Sequence, residues 1–184
     1  MKKITFQDKA IAYDTVGKGA AVLLIHGFCE DSRMWEDFSQ DLVEEKYKVI
    51  TIDLPGFGQS DVWSDVSIAD MAEAVHAVLQ VLKQDKVILI GHSMGGGVST
   101  LFAGTWPDDV EKLVLLEGLG PPEEHYVDGP GRVRRWIREL RNSEGRAARS
   151  FENLEQVAAR LSNCLLYTSP SPRDRTRSRM PSSA

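Results

Sequence analysis

Apolar residues in the first 120 positions follow two alternating patterns. Short continuous runs, VILI at residues 87–90 foremost, mark strands buried on both faces, because alternation with polar residues disappears when neither face meets water. Between such runs apolar residues recur at helical spacing. One set is Trp35, Phe38, Leu42 and Val43. A longer one starts after Ser67, with Ile68, Met71, Ala72, Val75, Val78, Leu79 and Leu82 on one face. A third is Val98, Leu101, Phe102 and Trp106. Residues 3–7 and 10–15, separated by Asp8-Lys9, read as a β-hairpin, with Val16-Gly17-Lys18-Gly19 as the turn that closes it. Residues 20–25, 47–52 and 110–116 read as further strands. Strand and helix alternate from Ala20 onward, which predicts an α/β fold with a mostly parallel sheet and helices on both faces.

The pattern changes after Gly120. Pro121-Pro122 and Gly129-Pro130-Gly131 predict irregular chain. Residues 132–142 predict a helix with Val133, Trp136, Ile137 and Leu140 on one face and Arg134, Arg135, Arg138 and Arg141 around the rest. Those arginines read as a solvated face on a helix that packs through Trp136, in preference to an anion-recognising lid. Residues 154–161 predict a shorter helix, N-capped by Asn153 with Gln156 three residues on. Residues 164–184 have no apolar period, and their Ser, Pro and Arg content predicts disorder. They also resemble translated sequencing-adapter sequence and are set aside from the fold as an artefact.

Composition narrows the class. A chain of 184 residues with 42% hydrophobic content can bury the core of one domain. No apolar run reaches the roughly 18 residues of a membrane span. The two lysines near the N-terminus precede no apolar stretch, so no signal peptide is read. Cys29 and Cys164 make no disulfide framework, and a cytoplasmic location is the expectation. The net charge is -5, and residues 164–184 hold four arginines against one aspartate, so the rest is more acidic still. That balance disfavours nucleic acid as a partner.

Candidate chemistry gathers at three predicted strand ends: His26-Gly27-Phe28, Asp53 through Ser60 (DLPGFGQS), and Gly91-His92-Ser93-Met94-Gly95. The last is a G-x-S-x-G held between a strand and a helix, the arrangement of a nucleophile elbow. Side chains in place of the flanking glycines would crowd a turn that strains the serine backbone and projects its hydroxyl above the sheet. The following helix aims its N–H groups and positive dipole end at that hydroxyl.

Together, in this order, HGF, DLPGFGQS and GHSMGG closely resemble the α/β-hydrolase superfamily over residues 1–120. From Glu117, EGLGPP, RVRRWIREL and NLEQVAARL resemble the cap region of its serine hydrolase-like subgroup, which implies a partial helical cap over residues 121–163. The resemblance implies that Ser93 is the nucleophile, with the backbone N–H groups of Phe28 and Met94 as the oxyanion hole. Haloalkane dehalogenases and epoxide hydrolases of this fold carry aspartate at the Ser93 position, so an ester, thioester or related acyl substrate is implied instead. The family implies that His26 orders the oxyanion loop and that Asp53 supports the turn after its strand.

The other histidines read as bystanders: His92 is too close in sequence to reach over Ser93, His76 sits at the edge of an apolar stripe, and His125 lies in irregular chain. Glu117, at a strand end, is an in-chain candidate for the triad acid. The family order is serine, acid, then histidine near the C-terminus. The strands that would carry the acid and the histidine are missing, so the chain reads as truncated inside the cap, with on the order of a hundred residues absent. No cofactor and no metal site is implied. The leading expectation is a serine hydrolase fragment acting on a small-molecule acyl substrate, itself inactive for want of a base. A cofactor-free C–C bond hydrolase or perhydrolase, and a non-catalytic binding protein of the same fold, remain alternatives. Substrate and oligomeric state are left open.

Overall fold

The computed structural model of the chain describes residues 1–63, 66–118, 129–143, 151–157 and 159. The chain divides into two compact units, Met1–Glu124 and His125–Ala184.

The first unit is a six-stranded sheet of β1 (Lys2–Phe6), β2 (Lys9–Gly17), β3 (Ala21–Ile25), β4 (Lys48–Ile52), β5 (Val87–His92) and β6 (Val110–Leu116). Their order across the sheet is β1-β2-β4-β3-β5-β6. β1 and β2 pair antiparallel, as do β2 and β4, while β4, β3, β5 and β6 run parallel. This is the mostly parallel α/β sheet that the alternation predicts. β3 is buried along its whole length, which explains a run without polar positions. Leu23 and Ile25 enter the larger core, whereas Val22 and Leu24 enter the smaller one.

Two helices supply the larger core. In α2 (Ile68–Leu82), Met71, Ala72, Ala74, Val75, Val78 and Leu79 are buried. α2 begins at a full capping box: the Ser67 hydroxyl accepts from the Asp70 N–H, and the Asp70 carboxylate accepts from the Ser67 N–H at 2.8 Å. α3 (Met94–Thr105) buries Val98 and Phe102 beside α2. On the other side, Trp35, with Leu42 and Val43 of α1 (Glu36–Glu44), covers Val22, Leu24, Val49 and Ile90.

Three expected boundaries move. The hairpin turn is Gln7-Asp8, not Asp8-Lys9: both residues take positive φ (48° and 59°), the requirement of a tight two-residue loop, and Phe6 pairs with Lys9. Val16 and Gly17 are not turn residues, because β2 continues through them to pair with Val49 and Lys48 of β4. The helix expected from Arg132 starts at Gly129, as α4 (Gly129–Ser143). Gly-Pro-Gly forms its first turn instead of irregular chain, since a helix start loses nothing to the missing proline N–H.

In the second unit, residues 154–157 and 159 are helical, and the Asn153 side chain accepts the Gln156 N–H at 2.9 Å. The Gln156 side chain accepts from the Glu152 N–H at 3.2 Å, one residue before the expected partner. The Trp136 and Leu140 side chains, His125, the remainder of the 154–161 helix and residues 164–184 lie outside the described residues.

Candidate active site

Ser93 stands between β5 and α3 with φ 51° and ψ -117°, a combination that L-residues other than glycine rarely adopt. Holding it there costs about 1–3 kcal/mol, which the surrounding packing must over-determine. Its N–H donates to Leu116 O at 2.8 Å, and its own carbonyl accepts from Gly96 N–H at 2.9 Å. The flanking glycines are sterically required. A Cβ on Gly91 would lie 2.5 Å from Gly95 O, and one on Gly95 would lie 2.5 Å from Ile25 O. The end of β5, the first turn of α3 and the end of β3 therefore touch backbone to backbone. Ser93 makes no side-chain cap to its own helix, so its hydroxyl is not spent on the N–H groups of α3.

The loop after β3 faces this turn. Phe28 is 67% exposed, large for an aromatic residue, and packs edge-on against Phe57 at 5.8 Å. Among the described residues, neither the Phe28 N–H nor the Met94 N–H is paired with a protein acceptor. One sits on the loop and the other opens α3. Cys29 next door takes φ 61° and turns the chain back on itself.

His26 is fully buried, and both ring nitrogens are committed: Nδ1 donates to Gly27 O at 2.7 Å and Nε2 accepts from Leu54 N–H at 3.0 Å. Burial pushes its pKa below the ordinary histidine value, so it stays neutral and ties the loop to the end of β4. Asp53 is buried and accepts from Ser32 N–H and Gln59 N–H, each at 2.8 Å. Its carboxylate thus holds two loops that border the site. His76 lies on α2, stacked at 4.3 Å on Trp106 with Asp109 at 3.6 Å. Glu117 is exposed just past β6 with φ 57°.

Glu30 is the residue that sequence reasoning missed. Its Oε2 lies 2.8 Å from His92 Nδ1 and accepts the Gly27 N–H at 2.7 Å. An acid–histidine pair thus sits one residue before Ser93, assembled from positions 62 apart. Only an acidic residue four positions beyond His26 hinted at it. A groove of about 740 Å³ on the α1 side, lined by Asp14, Glu36, Gln40 and Val49 among others, includes none of Ser93, Phe28 or Met94. Among the described residues, no cluster of potential ligands suits a metal ion, and no helix is long and apolar enough to cross a membrane.

The family model described as the alpha/beta hydrolase fold matches residues 20–179. The chain belongs to the α/β-hydrolase family. The matched span includes most of residues 164–184, the stretch set aside from the fold above. Among curated proteins it is 40% identical over 114 residues to the 2-hydroxy-6-oxononadienedioate/2-hydroxy-6-oxononatrienedioate hydrolase of Escherichia coli, covering 59% of this chain and 40% of that one. Among solved structures, the thioesterase domain from the curacin biosynthetic pathway superposes with TM-score 0.72 at 27% identity, over 89% of this chain and 61% of that one. The thermophilic esterase of Thermogutta terrifontis gives TM-score 0.62 at 32% identity, over 76% and 53%. The chain spans about a third of the length of the first curated relatives it matches, 32% of each.

Proposed function

We propose that the protein containing this chain is a serine hydrolase of small acyl substrates, esters or thioesters, with Ser93 as nucleophile. The observation that carries the reading is the backbone of Ser93, held at φ 51° where a non-glycine residue is costly. Strain at a serine whose hydroxyl caps nothing serves packing poorly and chemistry well. The Ser93 hydroxyl attacks the substrate carbonyl, its proton passes to a base, and the carbonyl oxygen becomes an oxyanion. The Phe28 and Met94 N–H groups stabilise that oxyanion, with the positive end of α3 behind them. Collapse expels the alcohol or thiol and leaves an acyl-serine that water then cleaves.

None of the three histidines among the described residues is placed as the base of Ser93. His26 has both nitrogens engaged, His76 stacks on Trp106, and His92 is paired with Glu30. Glu117 at the end of β6 is kept as a candidate acid. The proposal divides the chain into a core over residues 1–120 and a partial cap over 121–163. No cofactor enters the chemistry, and a cytoplasmic location is part of the proposal.

One observation favours keeping a second reading. The Escherichia coli relative is named for a substrate that holds a ketone and no ester, so cofactor-free C–C bond hydrolysis is the alternative. The test is hydrolysis of p-nitrophenyl esters by the intact protein and by Ser93→Ala. Loss of several orders of magnitude, about 10⁶ where a triad serine has been removed elsewhere, is the expected result. Wild-type-like ester hydrolysis by Ser93→Ala would reject the assignment. Turnover of a vinylogous 1,5-diketone but not of esters would favour the alternative.

A further inference from the structure

We infer that Glu30 is a positioning residue that locks the two halves of the oxyanion hole into register, through one carboxylate oxygen shared by Gly27 N–H and His92. This inference rests on Ser93 being the nucleophile. The two expected oxyanion donors lie on different elements: Phe28 N–H on the loop after β3, and Met94 N–H at the start of α3. Gly95 packs α3 against the end of β3, and the loop that carries Phe28 continues beyond that contact. Oε2 of Glu30 accepts from Gly27 N–H, next to Phe28, at 2.7 Å. The same oxygen lies 2.8 Å from Nδ1 of His92, next to Ser93 and two residues from Met94. One atom therefore bridges the loop to the elbow.

The packing at Gly27 shows how tightly the halves meet. A Cβ built there would lie 2.6 Å from Glu30 Oε2, 2.9 Å from His92 Nδ1 and 3.1 Å from Ser93 Cβ. Only a glycine leaves the carboxylate room to reach across. Cys29, at φ 61°, supplies the reversal that brings Glu30 back over Gly27. With Nδ1 of His92 donating to a carboxylate, the bond is charge-assisted, shorter and stronger than a neutral one. The pair is partly exposed, with 28% and 32% of the His92 and Glu30 side chains accessible, so its value lies in geometry more than in stability. An oxyanion hole works only when its donors meet the oxygen where charge develops, and a misplacement of about 1 Å can cost roughly 100-fold.

The experiment uses the intact protein and a fluorophosphonate ester, whose phosphonyl oxygen occupies the oxyanion hole as Ser93 attacks and fluoride leaves. The saturating inactivation rate and the half-saturating probe concentration are measured for wild type, Glu30→Ala and Glu30→Gln, at a temperature where all three are folded by circular dichroism. Glu30→Ala is expected to lower the saturating rate roughly 10- to 100-fold while leaving the half-saturating concentration unchanged. Glu30→Gln keeps an acceptor oxygen for Gly27 and is expected to restore most of the rate. A merely structural role predicts no such split and no such rescue. An unchanged rate in Glu30→Ala, or equal losses in the Ala and Gln variants, overturns the inference while leaving Ser93 in place. A wild type that fails to label at Ser93 overturns the nucleophile assignment itself, and the inference with it.

Discussion

Two glycines two residues apart on α3 should respond to alanine with opposite signs. Gly95 faces the end of β3, where a Cβ would lie 2.5 Å from Ile25 O and 2.9 Å from Ile25 C. Those are backbone atoms of a strand paired on both sides, so they cannot swing away as a flexible side chain would. Overpacking costs about 1–3 kcal/mol, and contact with fixed backbone belongs at the upper end. Alanine regains about 1 kcal/mol of helix propensity over glycine, leaving Gly95→Ala destabilised by about 2 kcal/mol. At Gly97 a Cβ would meet nothing within 4 Å, so only the propensity gain of about 1 kcal/mol remains. At this size, 1 kcal/mol moves Tm by about 2–4 °C. Gly95→Ala should therefore melt about 4–8 °C below wild type, and Gly97→Ala about 2–4 °C above it. Parallel thermal melts by circular dichroism, in one buffer, give both values. A Gly95→Ala protein at or above the wild-type Tm would show that the elbow is not packed backbone against backbone as described.

Two further outcomes concern stability and association. Burial lowers the His26 pKa in the folded protein, so the unfolded chain binds the proton first. The stability His26 contributes is present above the unfolded value of about 6.5 and is lost as pH falls below it, because the folded ring resists protonation. Urea midpoints at descending pH should fall in that window, and a His26→Gln variant should show a shallower fall; identical slopes would refute the assignment. Among the described residues β6 ends the sheet, and Leu113, Val114 and Leu116 are 38%, 40% and 41% exposed, an apolar edge suited to strand pairing. Light scattering should find this chain self-associating and Val114→Lys less so, whereas a monodisperse unsubstituted monomer would contradict the edge argument.

Features decided by neighbours in sequence were legible, and those decided by distant partners were not. The strand–turn–helix around Ser93 is local: a buried run, five residues and a helix mark it in the sequence. β3 and β5 showed through because strands buried on both faces have no polar alternation. The hairpin turn lies one residue before its expected place because glutamine is an unusual occupant of a positive-φ position and carries no turn signal at Gln7. The extension of β2 through Gly17 depends on its pairing with Lys48, which no local pattern reveals. The Glu30–His92 contact is the extreme case. Each residue alone reads as an ordinary polar side chain, and only the parallel placement of β3 beside β5 brings their loops together.

The proposed chemistry requires a covalent acyl intermediate on Ser93. The most direct measurement is rapid-quench mass spectrometry of the intact protein mixed with p-nitrophenyl acetate, followed by peptide mapping. A stoichiometric burst of p-nitrophenolate, matched by one acetyl group on Ser93 and abolished in Ser93→Ala, is the predicted result. No adduct, or an adduct on Cys29 that survives Ser93→Ala, would contradict it.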